Sequence, residues 1–238
     1  MTSLSVVIPA YNEETRLPST LNRIVEWLSG RAFEFSEIIV VDDGSSDATA
    51  RVIENSSARL IRNPGNRGKG YAVRNGMLNA RGQWVLYTDA DLSTPIEEAC
   101  KLYDAASAAN AVIAIGSRAL DRSLVSVHQS AFREYSGRGF NLVMRSLTGL
   151  PFRDTQCGFK LFAADAARAV FSRQILDGFS FDVEDLYIAK QCGLKAIEVA
   201  VRWANVEGSK VSLGTGLQSF GDLLRIRRNG LAGRYAGQ

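Results

Sequence analysis

Trp84-Val85-Leu86-Tyr87-Thr88-Asp89-Ala90-Asp91 passes within two turns of pleat from an apolar run to a pair of carboxylates. The apolar part is short and nearly continuous, the pattern of a strand covered on both faces. Acids at the end of such a strand stand where open α/β sheets bind ligands, beyond the carboxyl ends of the strands. Residues two apart in extended backbone face the same way, so Asp89 and Asp91 can point into one site. Adjacent carboxylates repel unless a cation lies between them. Mg²⁺ or Mn²⁺ accepts such oxygen ligands and completes its shell with water and phosphate oxygens. Alone, an Asp-x-Asp also fits a turn or a helix cap, and the flanking sequence has to decide.

Outward from this stretch, four more apolar runs repeat the design: Leu4 to Ile8, Ile38 to Val41, Arg59 to Ile61 and Ala111 to Ile115. Helical stretches near 14–29, 46–56, 69–81 and 95–109 separate them. The second opens on Ser45-Ser46-Asp47, a helix-capping cluster, and the fourth on Thr94-Pro95, where proline suits a first turn. This alternation predicts a doubly wound, mostly parallel α/β sheet with helices on both faces. Each run is followed by polar residues: Pro9-Ala10-Tyr11-Asn12-Glu13, Asp42-Asp43-Gly44-Ser45, Asn63 to Gly70, Asp89 to Asp91, and Gly116-Ser117-Arg118. Five segments should therefore meet at one sheet edge. Beyond residue 120 the reading is a helix over 128–148, an extended stretch over 154–162, helices near 163–172 and 182–192, and a last strand over 196–201. The tail carries Lys210, Arg225, Arg227, Arg228 and Arg234 against Asp222, interleaved with leucines, and reads as a basic amphipathic helix.

The bulk numbers bound the function. A chain of 238 residues, 46% hydrophobic and 22% charged, suits one globular domain. A net charge of +3 gives no footprint for nucleic acid. Cys100, Cys157 and Cys192 form no CxxC pair and read as reduced thiols of a cytoplasmic protein. His128 is the sole histidine, which excludes a two-histidine zinc site, and no GxSxG elbow accompanies it. No run reaches the roughly 18 apolar residues needed to span a bilayer, and Met1 leads directly into a strand, so no signal peptide is expected.

Other segments stay open on spacing alone. Asp42-Asp43-Gly44 fits a ribose or base contact, or a turn with a helix cap. Gly65 to Gly70 is glycine-rich and basic, suited to phosphate, yet it is no Walker A loop because Gly70 follows Lys69. Asp154 to Lys160 and Phe181 to Leu186 read as a polar turn and a capped helix start. Cys157 reads as packing, with no histidine to activate it.

Together, Val7-Ile8-Pro9-Ala10-Tyr11-Asn12-Glu13-Glu14, Val41-Asp42-Asp43-Gly44-Ser45 and Asp89-Ala90-Asp91 resemble the family 2 glycosyltransferases, inverting enzymes of the GT-A fold that use nucleoside-diphosphate sugars. Asn66 to Gly70, Asp154 to Phe162, Phe181-Asp182-Val183-Glu184, and Trp203 with Glu207 to Lys210 look like the dolichyl-phosphate β-glucosyltransferase branch. The eukaryotic members carry an N-terminal membrane anchor, and none is expected here.

The resemblance implies one domain over 1–238: a nucleotide-sugar half over 1–120, an acceptor half over 121–210 and the tail over 211–238. It implies that Pro9, Ala10, Tyr11, Glu13, Lys69, Asp89 and Ala90 bind the nucleotide, and that Asp43 accepts from the uracil N3–H, with Asp42 a second candidate. Asp89 and Asp91 would hold Mg²⁺ or Mn²⁺. Arg118, Arg133 and Lys210 would meet the acceptor phosphate, and Asp154 joins Asp89 and Asp91 as a catalytic candidate, or orients a neighbouring cation. The implied reaction moves a sugar, glucose by resemblance, from a UDP-sugar to a polyprenyl phosphate at the cytoplasmic surface of a membrane. A phosphate monoester, with a second pKa near 6, needs little help from a base. Three rivals differ in chemistry: a transferase to a saccharide hydroxyl, with Asp182, Glu184 or Asp185 as base; a sugar nucleotidyltransferase; and a non-catalytic binding module. The tail fits either a membrane surface or packing on the core.

Overall fold

The computed structural model describes residues 1–127, 131–206 and 213–236, with the side chains of 131–138, 140 and 213–219 left aside. In chain order the elements are β1 (Ser3–Ala10), α1 (Leu17–Ser29), β2 (Phe35–Asp42), α2 (Thr49–Glu54), β3 (Arg59–Arg62), α3 (Lys69–Asn79), β4 (Trp84–Thr88), α4 (Glu98–Ala108) and β5 (Ile113–Ser117). A 3-10 turn at Arg122–Leu124 leads to β6 (Val125–Val127), α5 (Ala131–Thr148), β7 (Phe159–Ala163), α6 (Ala164–Phe171), α7 (Phe181–Gln191), β8 (Ala196–Ala200), β9 (Trp203–Ala204) and α8 (Leu213–Leu231).

Seven strands form one sheet in the order β3-β2-β1-β4-β7-β5-β8. All neighbours run parallel except at β7, which is antiparallel to β4 and to β5. The alternation of side chains divides two cores. Val7, Val41, Val85 and Tyr87 face α3, α6, α7 and α8, whereas Val6, Ile8, Val40 and Leu86 face α1, α2 and α4. Each strand is apolar on both faces because both faces are covered. Ala10 lies level with Asp42, and Asp42 with Arg62, so the first three strands end together. The strand order reverses between β1 and β4, which opens a crevice at their carboxyl ends.

The departures from expectation are local. The extended stretch before residue 162 becomes the reversed strand β7, inserted between β4 and β5. Periodicity carries no information on strand direction. Pro95 lies outside α4, which starts at Glu98 after a turn closed by the Glu98 N–H on the Pro95 carbonyl. The N-cap of α2 is Ala48, with no side-chain cap of its own; Asp47 precedes it, and its Oδ1 accepts from the Thr49 N–H at 2.9 Å. β6 and β9 pair as a two-stranded sheet that the sequence reading did not anticipate, since each is too short for a period. Leu223 and Ile226 of α8, followed by Tyr235, are buried against α5 and α7, so the tail packs on the core along one face.

Candidate active site

The turn after β4 is shaped as much by what lies beneath it as by its own residues. The Asp89 N–H donates to the Gly158 carbonyl at 3.2 Å, and a Cβ added at residue 158 would overlap the Asp89 carboxylate. Only glycine lets the start of the reversed β7 pass this close. Leu92 then adopts φ 46°, a left-handed conformation rare for a branched side chain, with its N–H on the Asp89 carbonyl. Such strain persists where surrounding structure enforces it, commonly at functional sites. The Asp91 Oδ1 accepts from the Ser93 N–H at 2.9 Å, and the Ala90 carbonyl accepts from Thr20 Oγ1 at 2.6 Å. Both acids therefore keep oxygens for a further ligand. Among the described residues no cluster of three or more His, Cys, Asp or Glu side chains forms a metal cage. A hard cation here would take two carboxylates and draw its remaining oxygens from substrate and water, as Mg²⁺ commonly does. The donor set and the glycine cradle under Asp89 fit such an ion.

Lys69, the first residue of α3, places Nζ 2.7 Å from Asp89 Oδ1 and 6.0 Å from the ring centroids of both Tyr87 and Phe179. Burial alone would lower the ammonium pKa, but Asp89 and, behind it, Asp182 raise it above its ordinary value. Its backbone is set by Asp43. That buried carboxylate accepts from Asn63 Nδ2 at 2.7 Å and the Arg67 N–H at 3.0 Å through Oδ1, and from the Gly68 N–H at 2.8 Å through Oδ2. Gly68 itself sits at φ 108°, where a Cβ would also strike the Asp177 carbonyl. Asp43 thus shapes the basic loop, and a carboxylate with three donors has little capacity left for a base. Among the described residues Asp42 Oδ1 accepts only from the Ser45 N–H at 3.0 Å, which makes it the more available of the two acids.

The β1 loop is stitched to the β2 loop. Asn12 Oδ1 accepts from the Ser46 N–H, the Asn12 N–H donates to Ser45 Oγ, and the Glu13 N–H donates to Thr49 Oγ1 at 2.8 Å. Glu13 pairs with Arg16 through two contacts of 2.8 and 3.2 Å, so its carboxylate braces the entry to α1. Tyr11 is exposed at the crevice mouth, and Pro9 and Ala10 form the end of β1 beside it.

On the β5 side, Arg118 grips Asp154 with Nε on Oδ2 at 2.6 Å and Nη2 on Oδ1 at 2.7 Å, and its guanidinium lies 5.4 Å from the Trp203 ring centroid. Glu198 in turn accepts from the N–H groups of Arg153 and Asp154. Burial would raise the Asp154 pKa, but the Arg118 charge outweighs it and holds the acid below the usual carboxylate range. Of the two readings of Asp154, this ion pair has the geometry of a group that orients Arg118. Cys157 is enclosed, and burial first, then the Asp154 charge, push its thiol up to about 12. It stays a thiol. Arg133 falls within α5 with its side chain, and Lys210 entirely, outside the described residues.

The three acids offered as a base for a hydroxyl acceptor all point into the protein. Asp182 pairs with Lys160, fully buried on β7, and accepts from Tyr87 Oη at 2.9 Å. Glu184 accepts from the Ile175 and Leu176 N–H groups and from Tyr235 Oη at 2.6 Å. Asp185 is fully buried with both oxygens unpartnered among the described residues, and burial first, then Glu184 and Asp182, hold its pKa well above the ordinary value. All three are buried, at 4%, 0% and 0% exposure. Lys160 was discoverable from sequence: a lysine inside Phe159-Lys160-Leu161-Phe162 demands an acid partner. Gly158 and Asn63 offered no such signal, because their roles depend on a loop from elsewhere in the chain.

The family model for glycosyl transferase family 2 matches residues 5–175, which spans both the crevice at the ends of β1 and β4 and β7. The chain belongs to that family. It is a glycosyltransferase, and its relatives narrow the neighbourhood. A dolichyl-phosphate β-glucosyltransferase of Mus musculus is 40% identical over 98% of this chain and 77% of its own, and one of Dictyostelium discoideum is 37% identical over 97% and 75%. Among solved structures, glucosyl-3-phosphoglycerate synthase of Mycobacterium tuberculosis with UDP superposes with TM-score 0.70 at 19% identity, covering 95% of this chain and 80% of that one. The same enzyme has been seen with Mn²⁺, UDP-glucose and phosphoglyceric acid, with TM-score 0.69. Mannosyl-3-phosphoglycerate synthase of Rubrobacter xylanophilus gives 0.71 at 19% identity, over 99% of this chain and 76% of that one. These neighbours share the GT-A fold, with its mostly parallel central sheet.

Proposed function

We propose that this glycosyltransferase moves glucose from UDP-glucose to a polyprenyl phosphate of the dolichyl type, inverting the anomeric centre. The observation that carries the reading is the state of the acids on the acceptor side. Asp154 is committed to Arg118, and Asp182, Glu184 and Asp185 are enclosed in the core. A hydroxyl acceptor would need one of them as a base, whereas an anionic phosphate oxygen attacks without one. The names of the relatives support the same sugar and acceptor.

In this reading the crevice between β1, β2 and β4 takes the uridine, with Asp42 nearest to a free acceptor for its N–H and Asp43 holding the phosphate loop in shape. A divalent ion on Asp89 and Asp91 would neutralise charge as UDP departs. Lys69 adds a second positive charge at the same place. Arg118 has its Nε and one Nη engaged by Asp154, so its remaining Nη edge, beside Trp203, would meet the acceptor phosphate, joined by Arg133 and Lys210. Nothing on this path calls for nucleic acid.

We further assign the enzyme to the cytoplasmic surface of a membrane, where a lipid-borne phosphate is found. Among the described residues no helix is long and apolar enough to cross a bilayer. Support comes instead from Leu142 of α5 and Leu224 and Leu231 of α8, which are 69%, 59% and 78% exposed, with Arg145 and Arg228 on the same two helices.

The test is a donor panel with polyprenyl phosphate in detergent, with and without chelator, read by mass of the lipid product and by released UDP. Glucosylated lipid and UDP, lost with chelator and with Asp91→Ala, are expected. Absence of glycolipid with every UDP-sugar would overturn the acceptor, release of pyrophosphate from an NTP would favour a nucleotidyltransferase, and unchanged turnover in Asp91→Ala would refute the metal.

A further inference from the structure

The ion pair between Lys69 and Asp89 has a consequence for how the site loads. The ammonium stands on one oxygen of Asp89 at 2.7 Å, and that carboxylate is the shared ligand through which a divalent cation would be held. An ammonium and a divalent cation on one carboxylate repel each other, so they compete. Both partners are reachable, Lys69 being 22% and Asp89 33% exposed at the side chain, so a cation can arrive from solvent. Asp89 cannot retreat from the competitor, because Gly158 backs it and its own N–H is fixed on that residue's carbonyl. Lys69 can move, since its stem is flexible, but its base cannot: Asp43 anchors the Gly68 N–H and the Asp177 carbonyl accepts from the Tyr71 N–H at 3.2 Å.

We propose that Lys69 is an exchangeable counter-ion of the metal-binding carboxylate, which weakens metal binding to the free enzyme and makes the metal and the nucleotide diphosphate bind together. The inference rests on the metal role of Asp89 and Asp91 proposed above and deepens it. A diphosphate offers the displaced ammonium a new anion at the moment the cation takes its place on Asp89. The cost of separating Lys69 from Asp89 falls on the metal when it binds alone and is offset when UDP accompanies it. Linkage then requires that the metal tighten UDP by the same factor by which UDP tightens the metal.

The experiment measures Mn²⁺ affinity by the spin-resonance signal of the free ion, without and with saturating UDP, in the wild type, Lys69→Met, Lys69→Gln, Lys69→Arg and Asp91→Asn. In the absence of UDP both neutral variants should bind Mn²⁺ roughly tenfold more tightly than the wild type, the scale of one nearby charge. UDP should tighten Mn²⁺ strongly in the wild type and in Lys69→Arg, and far less in Lys69→Met and Lys69→Gln. Two neutral variants are used so that a folding defect in one, visible in its circular dichroism, leaves the other to decide. Equal or weaker Mn²⁺ binding by the folded neutral variants without UDP would overturn the proposal while leaving the metal site standing. Absence of Mn²⁺ binding in the wild type even with saturating UDP, or binding indifferent to Asp91→Asn, would overturn the metal site and the exchange together.

Discussion

At the scale of single residues, the site depends on positions with no chemistry of their own. Gly158 is the clearest. Its missing side chain is the space in which the Asp89 carboxylate stands, so Gly158→Ala should displace that carboxylate while leaving the strand intact. Misplacement by about 1 Å can cost 10²-fold, and we expect kcat/KM to fall by about that factor in the glycolipid assay, with little change in melting temperature. Asp185 makes a prediction of the opposite kind. Its folded-state pKa is raised, so its contribution to stability is fully present below the unfolded value of about 3.9 and is lost as pH rises through the folded pKa. Asp185→Asn removes that loss. The variant should melt above the wild type at pH 7, and the gap should close near pH 4; a constant gap would contradict the assignment. The Asp89-Ala90-Asp91 pair and the Asp42-Asp43 pair could be located in the sequence because acids at strand ends follow a positional rule. Which member of the second pair stays available could not, since it depends on Asn63, Arg67 and Gly68 closing on Asp43.

At the scale of elements, β7 and α7 set the back wall. β7 runs against its neighbours and so brings the Asp154–Gly158 segment to the edge where the parallel strands end. It also places Lys160 beside Tyr87, where α7 supplies Asp182 to both. Truncating one partner of a buried ion pair leaves the other charge stranded, at a cost of 3–5 kcal/mol by order of magnitude, about what removing a large core side chain costs. Asp182→Ala should therefore lose about that much in urea unfolding, whereas the double variant Asp182→Ala with Lys160→Met should recover part of it. No recovery would mean that the Tyr87 hydroxyl, or the cavity, carries the effect. The strands β1 to β5 were legible from their apolar runs. The reversal of β7 was not, because a buried strand has the same composition in either direction.

At the scale of the whole molecule, the two cores leave the sheet edge open for chemistry and a separate pair of helices, α5 and α8, with apolar side chains turned outward. The tail packs on the core through Leu223 and Ile226, while Leu224 and Leu231 stay exposed on the face proposed for the membrane. Replacing Leu224 and Leu231 by glutamate should lower sedimentation with anionic vesicles by several-fold, since each removes about 1.5–3 kcal/mol of apolar transfer when buried, and should leave UDP binding unchanged. Unaltered sedimentation would point the membrane contact elsewhere. The sequence by itself determined the layered α/β plan and the edge at which acids and glycines gather, because strand period, helix period and punctuation are local properties of the chain. Tertiary structure decided the rest. It set Lys69 on Asp89, closed Asp154 on Arg118 and turned Asp182, Glu184 and Asp185 inward, because pairing among charges depends on which distant segments the sheet brings within a few ångströms.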